Sequence, residues 1–135
     1  MGETANPAPG SVMWVDLTVG DAGAIRDFYS AVVGWKPQGL DMGGYDDFNM
    51  IPPDGDAPAA GICHARGENA DLPPQWLIYI TVADLDASVQ RCAELGGRVI
   101  AGPRSMGEAR LCVIQDPAGA VAALYSPNAS DAHGT

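Results

Sequence analysis

The chain has 135 residues and a formal net charge of -10, because 17 Asp and Glu side chains outnumber seven Lys and Arg. With 47% hydrophobic residues it is long enough for one well-filled core and too short for two independent domains of ordinary size. An acidic surface with few, scattered basic residues argues against nucleic acid or an anionic membrane as a partner, whereas a neutral or cationic small ligand is easily accommodated.

The two ends of the chain carry no sign of a targeting segment. MGETANPAPGS lacks the basic and apolar regions of a signal peptide, and no apolar run is long enough to span a bilayer. Residues 1–11 and 128–135 are expected to be disordered tails. Cys63, Cys92 and Cys112 are odd in number and lack CxxC spacing, which predicts neither a disulfide framework nor a thiolate zinc site and favours the reducing cytoplasm.

The first folded segment, WVDLTVGD, predicts a strand that leads into a helix. Alternate residues of a strand share a face, so one face carries valine and leucine side chains that pack under the helix. The opposite face carries Trp14, Asp16 and Thr18. Asp21 then occupies the helix N-cap, where its carboxylate can accept from free backbone N–H groups. The helix runs about three turns and ends at a glycine.

Three short strand candidates follow this helix, WKPQGL, YDDFNMI and AAGICHA, and then a linker, RGENADLPP, over residues 66–74. The same order then repeats. Placing Val19 on Val82 and Asp21 on Asp84 aligns a second strand and helix, after which RVIAG, ARLCVIQ and AVAALYS are the strand candidates. The repeat predicts β-α-β-β-β twice, with module one over 12–65 and module two over 75–127.

Three sequence words carry a family resemblance: LTVGDAGAIRDFYSAVVGW, ITVADLDASVQRCAELGG and QDPAGAVAALYSP. In this order and spacing they resemble the glyoxalase/bleomycin-resistance/dioxygenase group, the vicinal oxygen chelate (VOC) superfamily, over residues 12–127. The resemblance implies an α+β fold in which two βαβββ modules form a cup-shaped mixed sheet, in a homodimer. The word AAGI further suggests kinship with two-domain actinobacterial members.

Metal-dependent members of the superfamily place ligands at fixed points of the cup. Those positions fall here on Trp14, Leu77, Ala123 and a residue near Cys63. The first three side chains offer no lone pair that could hold a divalent ion, and Cys63 or the adjacent His64 would not hold one alone. We therefore expect no metal and no other cofactor. The open alternative is a site assembled from Asp16, His64 and a third residue.

The same alternation on the fifth and last strands predicts an aromatic and aliphatic lining with few polar groups, as in a pocket for a small organic molecule. The predicted ligand-binding residues are Trp14, Asp16, Thr18, Tyr45, Phe48, Cys63, Leu77, Tyr79, Arg110, Ala123 and Tyr125. Trp14 and Tyr79 could instead only fill the cup. Asp16 needs a partner on so apolar a face, and Arg110, Tyr79 and Thr18 are candidates.

The remaining expectations concern two loops near the expected pocket and three further side chains. The residues from Tyr45 to Asp47 form either a lid or a turn, and GPRSMGEAR, residues 102–110, is a loop that could gate the pocket. His64 is expected at the solvent edge of a strand. Cys63 and Cys112 are expected as small apolar core groups.

Two classes of function fit this lining. The favoured one is metal-independent binding of a small aromatic or amphiphilic metabolite, including a cationic one, as in drug sequestration and antibiotic resistance. The alternative is a metal-independent isomerase, cyclase or lyase of secondary metabolism, with Asp16 as general base and Tyr79 orienting the substrate or stabilising an oxyanion. A subunit that only dimerises is a third possibility. Binding is favoured because the lining shows a single acid–base group.

Overall fold

The structure, a computed structural model, describes residues 7–127. Its elements are β1 (Val12–Val19), α1 (Ala22–Val33), β2 (Lys36–Asp41), β3 (Asp46–Ile51), β4 (Ala60–His64), a 3-10 turn (Gly67–Asn69), β5 (Trp76–Thr81), α2 (Leu85–Glu94), β6 (Arg98–Met106), β7 (Ala109–Gln115) and β8 (Val121–Ser126). This order confirms the predicted β-α-β-β-β repeat and the α+β class.

Both helices begin in the same way. The Asp21 carboxylate accepts the backbone N–H of Ala24 at 3.1 Å, and the Asp84 carboxylate accepts that of Ala87, also at 3.1 Å. The predicted N-caps are therefore confirmed at both positions. Helix α1 ends at Gly34, whose left-handed φ of 79° is open to glycine at little cost.

The chain forms two compact units, residues 14–77 and residues 7–13 with 78–127. In the first unit β1 pairs in parallel with β4, β4 is antiparallel to β3, and β3 is antiparallel to β2. In the second unit β5 pairs in parallel with β8, β8 is antiparallel to β7, and β7 is antiparallel to β6. The pairing scheme of one unit is thus repeated in the other.

Each unit has its own core between its helix and one face of its strands. Under α1 the buried residues are Ala22, Phe48, Met50 and Ile62, and the partly buried aromatic side chains of Tyr29, Trp35 and Trp76 pack against them. Under α2 the buried residues are Leu85, Cys112 and Leu124. These apolar contacts hold each helix on its strands and leave the opposite strand face for other roles.

Two expectations about loops and tails need correction. Residues 98–106 form one strand with two register shifts against β7, so GPRSMGEAR is mostly strand and its turn is confined to Gly107 and Glu108. Residues 10 and 11, expected in the N-terminal tail, pair with β5, because Gly10 donates to the Thr81 carbonyl at 2.7 Å and Thr81 donates to the Ser11 carbonyl at 2.9 Å. The other predicted tail residues, 1–6 and 128–135, lie outside the described residues.

Replacing Gly97 by alanine should destabilise the protein. The added Cβ would lie 2.6 Å from the Cys92 sulfur and 2.9 Å from the Gln115 carbonyl oxygen, so the backbone after α2 would have to move. We expect the free energy of unfolding to fall by about 1–3 kcal/mol in urea denaturation. Gly20→Ala is the matched control, since no heavy atom lies within 4 Å of its added Cβ. Equal losses in the two variants would contradict this packing.

Candidate functional site

The side chains of β1 divide between two faces, as the sequence predicts. Val19 packs against the core under α1, and Leu17 lines a cavity together with Ile25 and Tyr29 of that helix. Asp16 and Thr18 therefore lie on the opposite face, where they are only 8% and 3% exposed. Burial of a carboxylate at this level is costly unless the carboxylate is paired or hydrogen-bonded.

Trp14 lies against the small residue that pairs with Asp16. The register of β1 and β4 sets Asp16 opposite Gly61. A Cβ on Gly61 would lie 3.3 Å from Cζ2 of Trp14, 3.5 Å from its Nε1 and 3.2 Å from Cβ of Asp16. Gly61 therefore leaves the space that the indole occupies beside Asp16. Gly61 is not among the residues predicted from the sequence, although a glycine inside a strand often marks such a close approach.

Cys63 shares the face of Asp16 and carries a proton. It pairs in register with Thr18. Burial raises the pKa of its thiol well above the usual range, and the nearby charges of Asp16 and Asp47, with a hydrogen bond to Asp47, raise that pKa further. A thiol held in this way is neither a nucleophile nor a metal ligand.

Asp47 is a second buried carboxylate of module one, at 7% exposure. Its Oδ1 accepts the backbone N–H of His64 at 2.8 Å and lies 3.3 Å from the Nδ1 of the same residue. Asp47, predicted in a lid or turn, is part of β3 and lies on the strand face opposite to that of Phe48. The two adjacent aspartates before FNMI are the sequence feature that could have indicated a polar contact at the start of this strand.

Tyr45 lies beside His64 rather than beside Trp14 in the contacts that the structure describes. The two rings are 5.4 Å apart, edge to face, and the Arg66 guanidinium carbon lies 3.9 Å from the Tyr45 ring centroid. Phe48 is also placed apart from the Asp16 face. It is part of the core under α1, with Arg26 over its ring at 4.7 Å, because the pairing of Phe48 with Ile62 sets it on the helix side.

In module two the predicted residues of β5 and β8 again share the face opposite the helix. Tyr79 pairs with Ala123, and Thr81 pairs with Tyr125, while the alternate residues Ile80 and Leu124 contribute to the core under α2. Ala123 is fully buried, as is Leu77. The Thr81 hydroxyl is buried and has no hydrogen-bond partner within residues 7–127.

Arg110 is not part of that face. Its Nη1 and Nη2 both bond to the Asp86 carboxylate at 3.0 Å, which anchors β7 to α2. The reason is strand alternation, since Arg110 has the same parity as Cys112, which lies in the core under α2. The assignment of Arg110 to the ligand-binding residues is therefore corrected.

The positions where this fold usually binds a metal do not fit one. Trp14, Leu77 and Ala123 carry no donor atom for a divalent ion, and Cys63 is held as a thiol. In the part of the chain that the structure describes, no three His, Cys, Asp or Glu side chains are grouped so that they could hold a metal ion.

The profile of the Glyoxalase/Bleomycin resistance protein/Dioxygenase superfamily matches residues 11–124. The chain belongs to this superfamily. Among its relatives, the anthracycline biosynthesis protein DnrV of Streptomyces peucetius is 37% identical over 119 residues, which cover 88% of this chain and 42% of DnrV. CFP32 of Mycobacterium tuberculosis (strain CDC 1551 / Oshkosh), whose name proposes a glyoxylase, is 34% identical over 129 residues, covering 88% of this chain and 46% of CFP32. The chain thus spans less than half the length of these relatives.

Solved structures of low sequence identity share the fold. Methylmalonyl-CoA epimerase from Mycobacterium tuberculosis aligns with a TM-score of 0.51 at 20% identity, over 96% of this chain and 97% of the epimerase. A methylmalonyl-CoA epimerase in complex with methylmalonyl-CoA aligns with a TM-score of 0.52 at 18% identity, over 88% and 95% of the two chains. These likenesses establish the VOC fold of this chain. Neither described helix is long and apolar enough to cross a membrane.

The buried thiols should resist alkylation in the folded protein. Burial and the neighbouring Cys92 raise the pKa of Cys112 from 9.0 to about 11, although Arg110 opposes the shift. This corresponds to about 100-fold less thiolate at mildly alkaline pH. We expect iodoacetamide to modify Cys63 and Cys112 at least that much more slowly in native protein than in urea, as measured by peptide mass spectrometry. Modification of Cys63 at the denatured rate would contradict its described environment.

Proposed function

We propose that this VOC-family protein binds a small aromatic or amphiphilic metabolite without a metal ion, on the strand face of module one that carries Trp14, Asp16 and Thr18. The observation that carries the proposal is the indole of Trp14 beside the buried Asp16, in the space left by Gly61. A flat aromatic surface next to a carboxylate suits a planar ligand with a cationic or hydrogen-bonding group. Tyr79, Ala123 and Tyr125, on the corresponding face of module two, are proposed as ligand contacts of that module.

The composition and the relatives support this ligand class. A net charge of -10 favours a cationic over an anionic ligand. DnrV is named for anthracycline biosynthesis, and an aromatic metabolite of that kind would suit an indole and a carboxylate. Drug sequestration is one role that such binding would serve. We further propose a homodimer in a reducing cytoplasm, where three free cysteines would be stable.

Native mass spectrometry of the purified protein, followed by titration with an anthracycline, tests the proposal. We expect a retained organic mass or quenching of anthracycline fluorescence on binding. Trp14→Ala should weaken that binding by about tenfold, because the aromatic contact is lost. Gly61→Ala should also weaken it, since the new methyl displaces the indole. Val32→Ala, at an exposed position on α1, is the control and should bind like the unmodified protein. Failure to retain or bind any aromatic molecule would refute the proposal.

A second candidate function is metal-independent proton transfer. The observation that favours it is the burial of Asp16 on the ligand face beside Cys63, whose pKa the Asp16 charge helps to raise. A buried carboxylate on such a face can act as a general base in an isomerase, cyclase or lyase. The name of CFP32 proposes a glyoxylase activity for that relative, which supports an enzymatic role as the second candidate for this chain.

Asp16→Asn separates the two candidates. Once mass spectrometry has identified a bound molecule, its exchange of C–H hydrogen in D2O can be followed by NMR. A general base at Asp16 should lose about 100-fold or more in exchange rate in the Asn variant with little change in affinity, because the amide cannot accept the proton. Asp54→Asn, at an exposed turn, is the matched control. An unchanged rate in Asp16→Asn would end this mechanism, and lost affinity would instead indicate a clamp for a cationic ligand.

A further inference from the structure

A second polar group of module one lies at the end of β4, where the sequence analysis expected an ordinary solvent-edge histidine. His64 is partly buried, with 23% of its side chain exposed, and its partner Asp47 has only 10% of its side chain exposed. The two side chains meet through Nδ1 of His64 and Oδ1 of Asp47, at 3.3 Å. This pair is not used by the ligand face that carries Trp14 and Asp16.

Asp47 is held so that it can only accept hydrogen bonds. Its Oδ1 receives the backbone N–H of His64 at 2.8 Å, and its carboxylate also receives the Cys63 thiol. An ionised carboxylate has no proton to donate, so the contact with His64 requires Nδ1 to carry the hydrogen. In the neutral imidazole the other nitrogen, Nε2, is then an acceptor. Nε2 makes no hydrogen bond with any residue of the range 7–127.

Two aromatic rings lie near this imidazole, and each of them carries an arginine on its face. The Tyr45 ring meets it edge to face at 5.4 Å, and the Phe48 ring is 6.4 Å away. Arg66 lies over the Tyr45 ring at 3.9 Å, and Arg26 lies over the Phe48 ring at 4.7 Å. Arg26 is paired with Asp27, whereas Arg66 has no ion pair with any described residue. Each of the two aromatic rings that contact His64 thus carries a guanidinium group on its face.

We propose that His64, oriented by Asp47, binds the hydroxyl group of a phenol or naphthol through Nε2. An acidic aromatic O–H is the donor that a neutral imidazole acceptor recognises, and the partly exposed ring of Tyr45 provides apolar surface for the ligand ring. Arg66 favours the partial negative charge that the phenolic oxygen gains in this hydrogen bond. The proposal goes beyond binding at the Trp14 face and does not depend on it.

The experiment compares 2-naphthol with 2-methoxynaphthalene, which has the same ring system but no hydroxyl hydrogen. Both are titrated into protein labelled with 15N in its histidines, at neutral pH. We expect 2-naphthol to bind about fivefold more tightly, as one net hydrogen bond provides. It should also shift the Nε2 resonance of His64, a signal that needs no variant. Equal affinities, an unshifted Nε2 resonance or no binding of either compound would each overturn the proposal.

Two variants locate the effect. His64→Phe keeps a ring against Tyr45 but removes the acceptor, so it should abolish the preference for 2-naphthol while leaving binding of 2-methoxynaphthalene within about twofold. Arg66→Gln should reduce the preference in part. Arg91→Gln, which removes an exposed guanidinium from α2, is the charge-matched control and should leave the preference unchanged. A preference that survives in folded His64→Phe protein would place the hydroxyl elsewhere and overturn the proposal.

Discussion

The parallel pairing of the first and last strands within each unit is the constraint on which the rest depends. It sets Asp16 opposite Gly61 in one unit and Tyr79 opposite Ala123 in the other. Once these registers are set, strand alternation decides which side chains pack under a helix and which do not. A register slip of one residue would exchange the side chains of the two faces. The present core residues would then leave the helix side, and Asp16 would be placed under the helix. Burial of the apolar side chains under the helices therefore favours the register that positions the candidate site.

The equivalent positions of the two units carry different residues. In both units a polar side chain on the first strand faces a very small residue on the last strand. In unit one the small residue is Gly61, and the space is taken by the Trp14 indole. In unit two the small residue is Ala123, next to Tyr79. The usual metal positions of the fold carry indole, isobutyl and methyl groups, so the family's scaffold is kept while its customary ligand atoms are absent.

Electrostatics in module one depend on two buried carboxylates in an already acidic protein. Asp16 and Asp47 both act on Cys63, and the thiol responds by keeping its proton, which supplies Asp47 with a hydrogen bond. Asp47 in turn contacts Nδ1 of His64, and arginines stack on the Tyr45 and Phe48 rings. Burial of the Asp47 carboxylate is tolerable because these donors surround it.

The sequence by itself determined the repeat, both aspartate N-caps, the order of strands and helices, the superfamily and the two faces of β1, because these depend on local chemistry and on a period of two. It also indicated that Trp14, Leu77 and Ala123 cannot bind a metal, since side-chain chemistry alone decides that. Only the tertiary structure decided that Phe48 and Arg110 face the helices, that Gly61 accommodates the indole, and that Asp47 binds His64. Those contacts depend on which residue of a neighbouring strand stands opposite, and strand register is set by pairing across distant segments, which no local pattern encodes.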